Sequence, residues 1–379
     1  MTVDPNSYTW ERVSTFNVGA DLGLFNDRIL GGFDYYIRNT KGMLTAGQTW
    51  PGVLGTASPQ ENAADLRTKG WELSVTYQDK FTLAEKPFNF SAKVFLSNSD
   101  AVITKFKNDQ NLFSNYRVGQ KIGDIWGLVS DGFFQNQAQI NALDESAIIP
   151  WGALNITPGW PKYKDLDGNG KIEQGLTSTN PKDMKVIGNS ADHYSVGTNL
   201  NMNWNGFDLS VFLQGVLKRD YYPQNYLFWG PYQQPYANIY PWLLNFYRPT
   251  AETAAQRAQD SKSYIAAGLA DANTNAYYPA LQAWLADQRT GLGLSIPQTK
   301  YLLNGAYLRV KNISVGYTLP ASLTKRAGIS RLRIFVSGDN LYEFSAIKKY
   351  KDPESINQDV SGWIYPFMRK YAIGLNLDL

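Results

Sequence analysis

The chain has no cysteine and only one histidine among its 379 residues. Without cysteine there can be no disulfide framework, thiol nucleophile or thiolate metal site. A single histidine, His193, excludes a two-histidine metal site and gives little basis for a histidine-dependent catalytic triad. Scattered carboxylates such as Asp144 and Glu145 do not form a recognisable acid–base pair. No enzyme activity is therefore expected.

A strong excess of either charge and a long apolar run are also missing. The chain carries 36 Lys and Arg against 33 Asp and Glu, a formal net charge of +3. Without a basic stripe, no nucleic-acid partner is expected. No run of about 18 apolar residues occurs, so no transmembrane helix is predicted. The first residues also lack the basic and apolar regions of a signal peptide.

Aromatic residues are abundant, with 24 Tyr, 18 Phe and 11 Trp. Tyr and Trp are enriched on carbohydrate-binding surfaces and in the aromatic girdles of outer-membrane barrels. The sequence thus favours either a glycan-binding protein or a membrane barrel.

Strict alternation of apolar and polar residues is the strongest pattern. Successive side chains of a strand point to opposite faces, so alternation predicts one apolar face and one wet face. A phase shift near Asn312 predicts a β-bulge or a strand end above the bilayer. About nine strands of roughly 9–13 residues are predicted, long enough to cross a bilayer at a tilt. The alternating segments are 16–24, 29–37, 71–78, 88–97, 196–204, 207–214, 307–318, 332–336 and 371–379.

The connections between these segments are alternately short and long, as in outer-membrane barrels with periplasmic turns and extracellular loops. Asn205-Gly206 predicts a type I′ hairpin, and residues 251–270 predict a short helix inside a loop. We predict an all-β fold, an antiparallel portion of a transmembrane β-barrel; a soluble β-sandwich, which also alternates, is the alternative. Short connections are 25–28, 79–87, 205–206 and 319–331, and long outer loops are 41–68, 101–190, 218–306 and 343–369.

Several motifs, in their order along the chain, resemble the SusC/RagA family of TonB-dependent outer-membrane transporters. The most specific is Tyr307–Pro320, with the sequence YLRVKNISVGYTLP. The resemblance covers nearly the whole chain. Its other motifs are Gly70–Leu73, Gly132–Gln135, Val186–Asn189, Gly206–Gly215, Gly338–Leu341 and Tyr350–Glu354.

The resemblance implies that residues 1–379 form the C-terminal portion of one barrel of about 22 strands. The plug domain, the TonB box and the remaining strands are then expected on an N-terminal polypeptide, because a free strand edge is not tolerated in lipid. The family usually ends in Phe, whereas this chain ends in Leu379. The last strand is still expected to be recognised by the barrel-assembly machinery.

The implied function is TonB-dependent import of large nutrients, oligosaccharides or peptides. The expected location is the outer membrane of a Gram-negative, Bacteroidetes-like bacterium. The expected partners are outer-membrane lipid, TonB and a SusD-like surface lipoprotein, with no organic cofactor. The alternative is a soluble or surface-exposed, aromatic-rich β-module that binds glycans.

One segment, Asp165–Glu173, fits the first nine positions of an EF-hand calcium loop. Leu176 stands at position 12, where a bidentate carboxylate is expected. Related transporters carry a similar loop with a later aspartate, which aligns with Asp183. A structural Ca²⁺ is one prediction, and an ion-free turn rich in Asp, Asn and Gly is the other. The predicted ligands are Asp165, Asp167, Asn169, the carbonyl of Lys171, Glu173 and Asp183.

Two further sets of residues are assigned roles. An aromatic group in loop 218–306 could stack on a substrate, pack within the loop or contact a partner lipoprotein; its members are Trp229, Tyr232, Tyr236, Tyr240 and Trp242. Polar residues that alternate with the apolar ones are expected to line the lumen or contact the plug. These are Asn199, Asn201, Asn203, Asp208, Ser210, Gln214, Asn376 and Asp378. His193 is expected to begin a strand and carry no chemistry.

Overall fold

The computed structural model describes residues 8–46, 60–142, 156–286, 293–356, 365 and 367–379. Within them, nine long strands form one antiparallel sheet in the order β1-β2-β3-β4-β9-β10-β13-β14-β15. This confirms the predicted all-β fold and the number of long strands. Their bounds are β1 Arg12–Leu24, β2 Ile29–Ala46, β3 Gln60–Leu83, β4 Lys86–Lys105, β9 His193–Trp204, β10 Phe207–Lys218, β13 Tyr307–Thr318, β14 Arg331–Ser345 and β15 Lys370–Asp378.

The register places the alternating apolar residues on one face of the whole sheet. Apolar residues lie opposite apolar residues across successive strands, as Tyr77 does opposite Ala92. The same row continues through Leu200, Val211 and Ile313. A one-residue slip would turn this set to the other face, so the pattern itself specifies the register.

Four strands, β2, β3, β4 and β14, are much longer than predicted. Strands β2 and β3 extend to Ala46 and from Gln60, so much of predicted loop 41–68 is sheet. Strands β3 and β4 meet at a tight turn at Ala84 and Glu85, both with positive φ, and not at the wider turn predicted over 79–87. Sequence alternation fades in these extensions, whereas backbone pairing with the neighbouring strand continues.

Two other local predictions are confirmed. Asn205 and Gly206 both have positive φ, as a type I′ turn requires, and they join β9 to β10. The register shifts between Val310 and Asn312, which is the predicted bulge. His193 is the first residue of β9, and its Nδ1 lies 3.0 Å from Asn98 Oδ1.

The long loops carry small elements of their own. Three two-stranded sheets pair β5 with β8, β6 with β7, and β11 with β12. Segment 251–270 forms two short helices and not one. The strands are β5 Asp124–Leu128, β6 Ser130–Phe133, β7 Pro161–Tyr163, β8 Met184–Asn189, β11 Asp220–Tyr221 and β12 Leu303–Asn304, and the helices are α1 Gln137–Asn141, α2 Tyr226–Trp229, α3 Ala254–Arg257, α4 Lys262–Ala266 and α5 Ala321–Thr324.

The main apolar core lies in the loops and not in the sheet. It brings together residues from several loops, with Leu128, Trp229, Tyr278, Tyr301 and Tyr350 all 6% exposed or less. Their rings pack mainly edge to face, as in the Phe228–Trp229 pair at 4.7 Å. The loops therefore form one packed layer.

Buried ion pairs tie this loop layer to the strand ends. Arg309 of β13 is 1% exposed and pairs with Asp352 at 2.8 Å and Glu354 at 3.2 Å. Arg219, which follows β10, pairs with Asp192 at 2.7 Å and donates to the carbonyls of Gly305 and Pro353. Removing one partner of such a pair leaves an uncompensated buried charge, so these contacts fix the loops against the sheet.

Candidate functional site

The apolar face of the sheet is exposed over its full width. Ile373 and Leu375 of β15 are 78% and 67% exposed, and Val336 of β14 is 55% exposed. A contiguous apolar surface of this extent marks a face that contacts a membrane or another protein. Further exposed members are Phe16, Val18, Leu22, Leu73, Val75, Val94, Val315 and Leu377.

Aromatic side chains cluster where the short turns connect the strands. Phe81 and Phe88 lie 4.9 Å apart, and Phe207 and Tyr317 lie 4.5 Å apart. Trp204 at the end of β9 donates from Nε1 to the carbonyl of Leu83 at 3.1 Å. Barrels carry such aromatic girdles at the membrane–water interface. The turn end of the sheet therefore has the chemistry of an interfacial rim.

The opposite face of the sheet is polar and carries a cross-strand ion pair. Arg333 of β14 donates to both carboxylate oxygens of Asp208 on β10, from Nε at 2.8 Å and from Nη2 at 2.5 Å. The pair passes over Gly316 of β13, where an added Cβ would lie 2.5 Å from both side chains. With Asn201, Asn203 and Ser210, the pair lines an open depression of about 680 Å³.

The EF-hand-like loop brings three of its predicted ligands together. Carboxylate oxygens of Asp165, Asp167 and Asp183 lie within 4.8 Å of one another. Asp183 is fully buried, and its two oxygens accept from the amides of Leu166 at 2.7 Å and Glu173 at 2.6 Å. Asp183, which is predicted from the later aspartate of related loops, therefore lies beside the first two aspartates of this loop.

The other predicted ligands have different partners. The side chain of Glu173 accepts from Asn169 at 3.1 Å and pairs with Lys182 at 3.1 Å, outside the three-aspartate cluster. Asp165 accepts from the amides of Gly170 at 2.8 Å and Gly168 at 2.7 Å, and the first of these bonds is the main cause that lowers its pKa. The backbone amides of the loop therefore favour the ionised form of Asp165.

The five predicted aromatic residues occupy very different positions. Trp229 and Tyr232 are completely buried in the loop core, so neither offers a face to a ligand. Tyr240 and Trp242 stack on each other at 4.9 Å and pack against that core. Tyr236 is 75% exposed and meets Trp284 edge to face at 6.4 Å. Only Tyr236 of the five is strongly accessible.

Within the described part of the chain, no helix is long and apolar enough to cross a membrane.

Comparisons with known proteins give relatives in sequence and in fold, although no family model matches the chain. Over 97% of its length, the chain is 25% identical to TonB-dependent receptor P3 of Formosa agariphila and 24% identical to TonB-dependent receptor SusC of Bacteroides thetaiotaomicron. It spans about a third of the length of these relatives, 34% and 32% respectively.

The fold is that of a solved transporter. The structure of the RagAB peptide transporter superposes with a TM-score of 0.68 over 100% of this chain and 36% of that chain, at 21% identity. The same transporter in its "closed-closed" state also gives a TM-score of 0.68. These likenesses confirm the resemblance inferred from the motifs: the chain is related to the SusC/RagA-type TonB-dependent receptors, which are transport proteins and not enzymes.

Proposed function

We propose that this chain forms part of the wall of an outer-membrane, TonB-dependent importer of large nutrients. The observation that carries the proposal is the exposed apolar face that continues across all nine strands. A sheet that presents such a face to water is an aggregation hazard, whereas in lipid the same face is favoured. The relatives, named as TonB-dependent receptors, support this choice.

In this proposal the two faces of the sheet have separate tasks. The apolar face contacts lipid, and the polar face around Asp208 and Arg333 faces the lumen and the plug. The plug and the remaining strands belong to the rest of the barrel, and TonB acts on the plug. The terminal strand β15 carries the signal read by the barrel-assembly machinery.

The loop layer forms the outer mouth of the importer and meets a SusD-like surface lipoprotein. Support comes from the rigid aromatic core, which presents a defined surface, and from the RagAB transporter, whose fold the chain shares. The proposed cargo is an oligosaccharide or a peptide. The cycle is substrate capture, closure of the lipoprotein over the mouth, plug displacement and release, without covalent chemistry.

The test is isolation of the native complex that contains this chain. Cells are fractionated, outer membranes are extracted with detergent, and the intact mass and subunit content of the complex are measured. The proposal expects the chain in the outer membrane, together with the plug region and a surface lipoprotein. Recovery of a monomer that stays in water without detergent would contradict it and favour the glycan-binding β-module.

We also propose that the Asp165–Asp183 cluster holds a structural Ca²⁺. Three carboxylates within 4.8 Å repel one another unless a cation or proton neutralises them. Hard oxygen ligands from Asp165, Asp167 and Asp183, with Asn169 and the carbonyl of Lys171, suit Ca²⁺. Glu173 would bind the ion only after its side chain breaks the ion pair with Lys182. The ion would stabilise the loop and take no part in chemistry.

The test compares Ca²⁺ binding by calorimetry in the intact protein and in Asp167→Asn. This substitution keeps the oxygen that accepts from the amide of Asn169 at 3.1 Å but removes one charge. Asp131→Asn is the matched control, because Asp131 lies in the same loop and pairs with Lys162 at 2.7 Å, outside the cluster. Binding that is weakened only in Asp167→Asn supports the site, and equal binding in all three proteins refutes it.

A further inference from the structure

Three arginines are buried in the described part of the chain, and one of them lacks a carboxylate partner. Arg309 and Arg219 are 1% and 3% exposed, and both form salt bridges to aspartate or glutamate. Arg117 is 4% exposed and forms no salt bridge with any described residue. A guanidinium taken out of water without a counter-charge is costly, so its surroundings need an explanation.

The protein compensates only part of the Arg117 charge. Its Nη1 donates to the carbonyls of Leu112 at 3.3 Å and Asn115 at 3.2 Å. The guanidinium lies 4.8 Å from the ring centre of Phe113 and 6.0 Å from that of Trp126. The contacts with these rings are cation–π interactions, which stabilise the charge less than a carboxylate does. Burial still lowers the pKa of Arg117, despite the opposing field of Asp124.

One edge of the guanidinium has no hydrogen-bond partner in the described part of the chain. Nε and Nη2 donate to no described residue, and neither is among the fully buried unpaired atoms. This edge is one of the two on which arginine binds a carboxylate through two parallel hydrogen bonds. Since Nη1 is already used by carbonyls, the Nε–Nη2 edge is the one left for a ligand.

A pocket of about 390 Å³ adjoins Arg117. This volume lies within the range of small-molecule sites. Aromatic rings and an aliphatic side chain form part of the wall, and polar groups form the rest. The lining includes Phe113, Trp126, Leu176, Ser114, Gln120 and Asp124.

We propose that this pocket binds the carboxylate of a small organic acid, paired with the Nε–Nη2 edge of Arg117. The planar group would lie beside the rings of Phe113 and Trp126, which exclude water and strengthen the pair. The site does not depend on the import function, since it is defined by the loop alone.

Asp124 favours a singly charged ligand. Its carboxylate lines the same pocket and accepts from Asn189 Nδ2 at 3.0 Å, but it makes no salt bridge to Arg117. Its negative charge repels an anion, and it repels a doubly charged phosphate or sulfate more strongly than a carboxylate. A monocarboxylate therefore fits the balance of charges best.

The experiment is calorimetric titration of the full chain in its native detergent-extracted complex. The probes are N-acetylglycine and glucuronate, with N-acetylglycinamide and glucose as their uncharged counterparts. The acids are expected to bind at least about tenfold more tightly than the uncharged probes, because a hydrogen bond to a charged group contributes more than a neutral one. Binding of one acid or of both identifies the source of the carboxylate. Equal binding of acid and uncharged probe, or no binding of either acid, overturns the proposal.

A variant locates the binding. Arg117→Gln is expected to abolish the preference for the acid, and Arg257→Gln, an arginine of another loop paired with Asp271 at 2.6 Å, is the matched control. Loss of preference in both variants would contradict the assignment to Arg117. If Arg117→Gln does not fold, two measurements on the unaltered protein decide the question: the comparison of acid with uncharged probe, and competition by sulfate. Sulfate that binds more tightly than the acids would refute selectivity for a carboxylate.

Discussion

Two acidic side chains face each other beside helices α3 and α4. The neighbouring side chain of Asp260 is the main cause that raises the pKa of Glu252. One oxygen of each, Glu252 Oε2 and Asp260 Oδ2, is buried without a hydrogen-bond partner among the described residues. Tyr264 donates to the other oxygen of Glu252 at 2.9 Å, and Arg257 is drawn away to Asp271. Folding therefore favours the protonated form of Glu252.

The first prediction is that Glu252→Gln raises the melting temperature at pH 7. A carboxyl group whose pKa is raised by folding stabilises the fold while it is protonated, and this contribution is lost as the pH rises through the folded pKa. Glutamine mimics the protonated form and keeps the acceptor for Tyr264. The gain should disappear near pH 4, where glutamate itself is protonated.

Thermal unfolding from pH 4 to pH 8 measures this effect. Glu61→Gln, an exposed glutamate of β3, provides the control for the change in net charge. A gain of the same size at pH 4 and pH 7 would show that the effect does not come from the raised pKa of Glu252.

Glycine and phenylalanine pair across neighbouring strands on the polar face of the sheet. Phe95 of β4 lies over Gly197 of β9, where an added Cβ would meet its ring carbon at 1.9 Å. Phe335 of β14 lies over Gly374 of β15 in the same way, at 2.4 Å. An aromatic ring that covers a glycine restores the packing that the missing side chain would supply. Phe95 and Phe335 therefore pack on the polar face, although their apolar side chains interrupt its pattern of polar residues.

We expect Gly197→Val to destabilise the sheet by about 1–3 kcal/mol, the usual cost of overpacking a filled site. The cost should fall when Phe95→Ala is combined with it, because the ring that clashes is gone. A double-mutant cycle of unfolding free energies in detergent measures this coupling. Strictly additive effects would mean that the ring moves aside at no cost.

The elements differ in how far the sequence alone predicts them. The strands, the Asn205-Gly206 turn and the bulge before Asn312 follow from local patterns, and the structure confirms them. The sequence does not predict strand extensions such as the part of β3 that begins at Gln60, because these extensions are maintained by pairing with a neighbouring strand and not by alternation. The burial of Trp229 and Tyr232 was also unpredictable, since it depends on residues brought from distant loops.

The same limit applies to the candidate sites. Asp165 and Asp167 are close in sequence, so a motif predicts them. Asp183 lies further along the chain, and its prediction depends on a comparison with related loops. Arg117 gave no signal in the sequence. Its importance lies in what it lacks, a carboxylate partner, and only the positions of its neighbours reveal this.

At the scale of the whole molecule, the apolar face distinguishes a membrane wall from a soluble sheet. Val315 of β13 is 48% exposed on this face, while its neighbour Ser314 points to the other side. In lipid, an arginine on the outer face costs about 2–4 kcal/mol at the midplane and less near the interfaces. In water, the same arginine on an exposed site would cost little.

Val315→Arg is therefore expected to reduce folding stability in a bilayer by an amount in this range, and Ser314→Arg is expected to have a much smaller effect. Refolding of the complex into lipid vesicles, followed by denaturant titration, compares the two. A result in which Val315→Arg is neutral and Ser314→Arg destabilises would reverse the assignment of the faces.

The loop core also sets an order of events during assembly. Hairpins such as β9–β10 join residues close in sequence and can form early. The core contact between Phe228 and Tyr350, whose ring centres lie 4.9 Å apart, joins parts of the chain separated by strands β13 and β14. Such distant contacts wait until the strands that carry them are aligned. The loop core should thus form last, and until then its aromatic residues stay exposed, at the stage when another protein can contact them most easily.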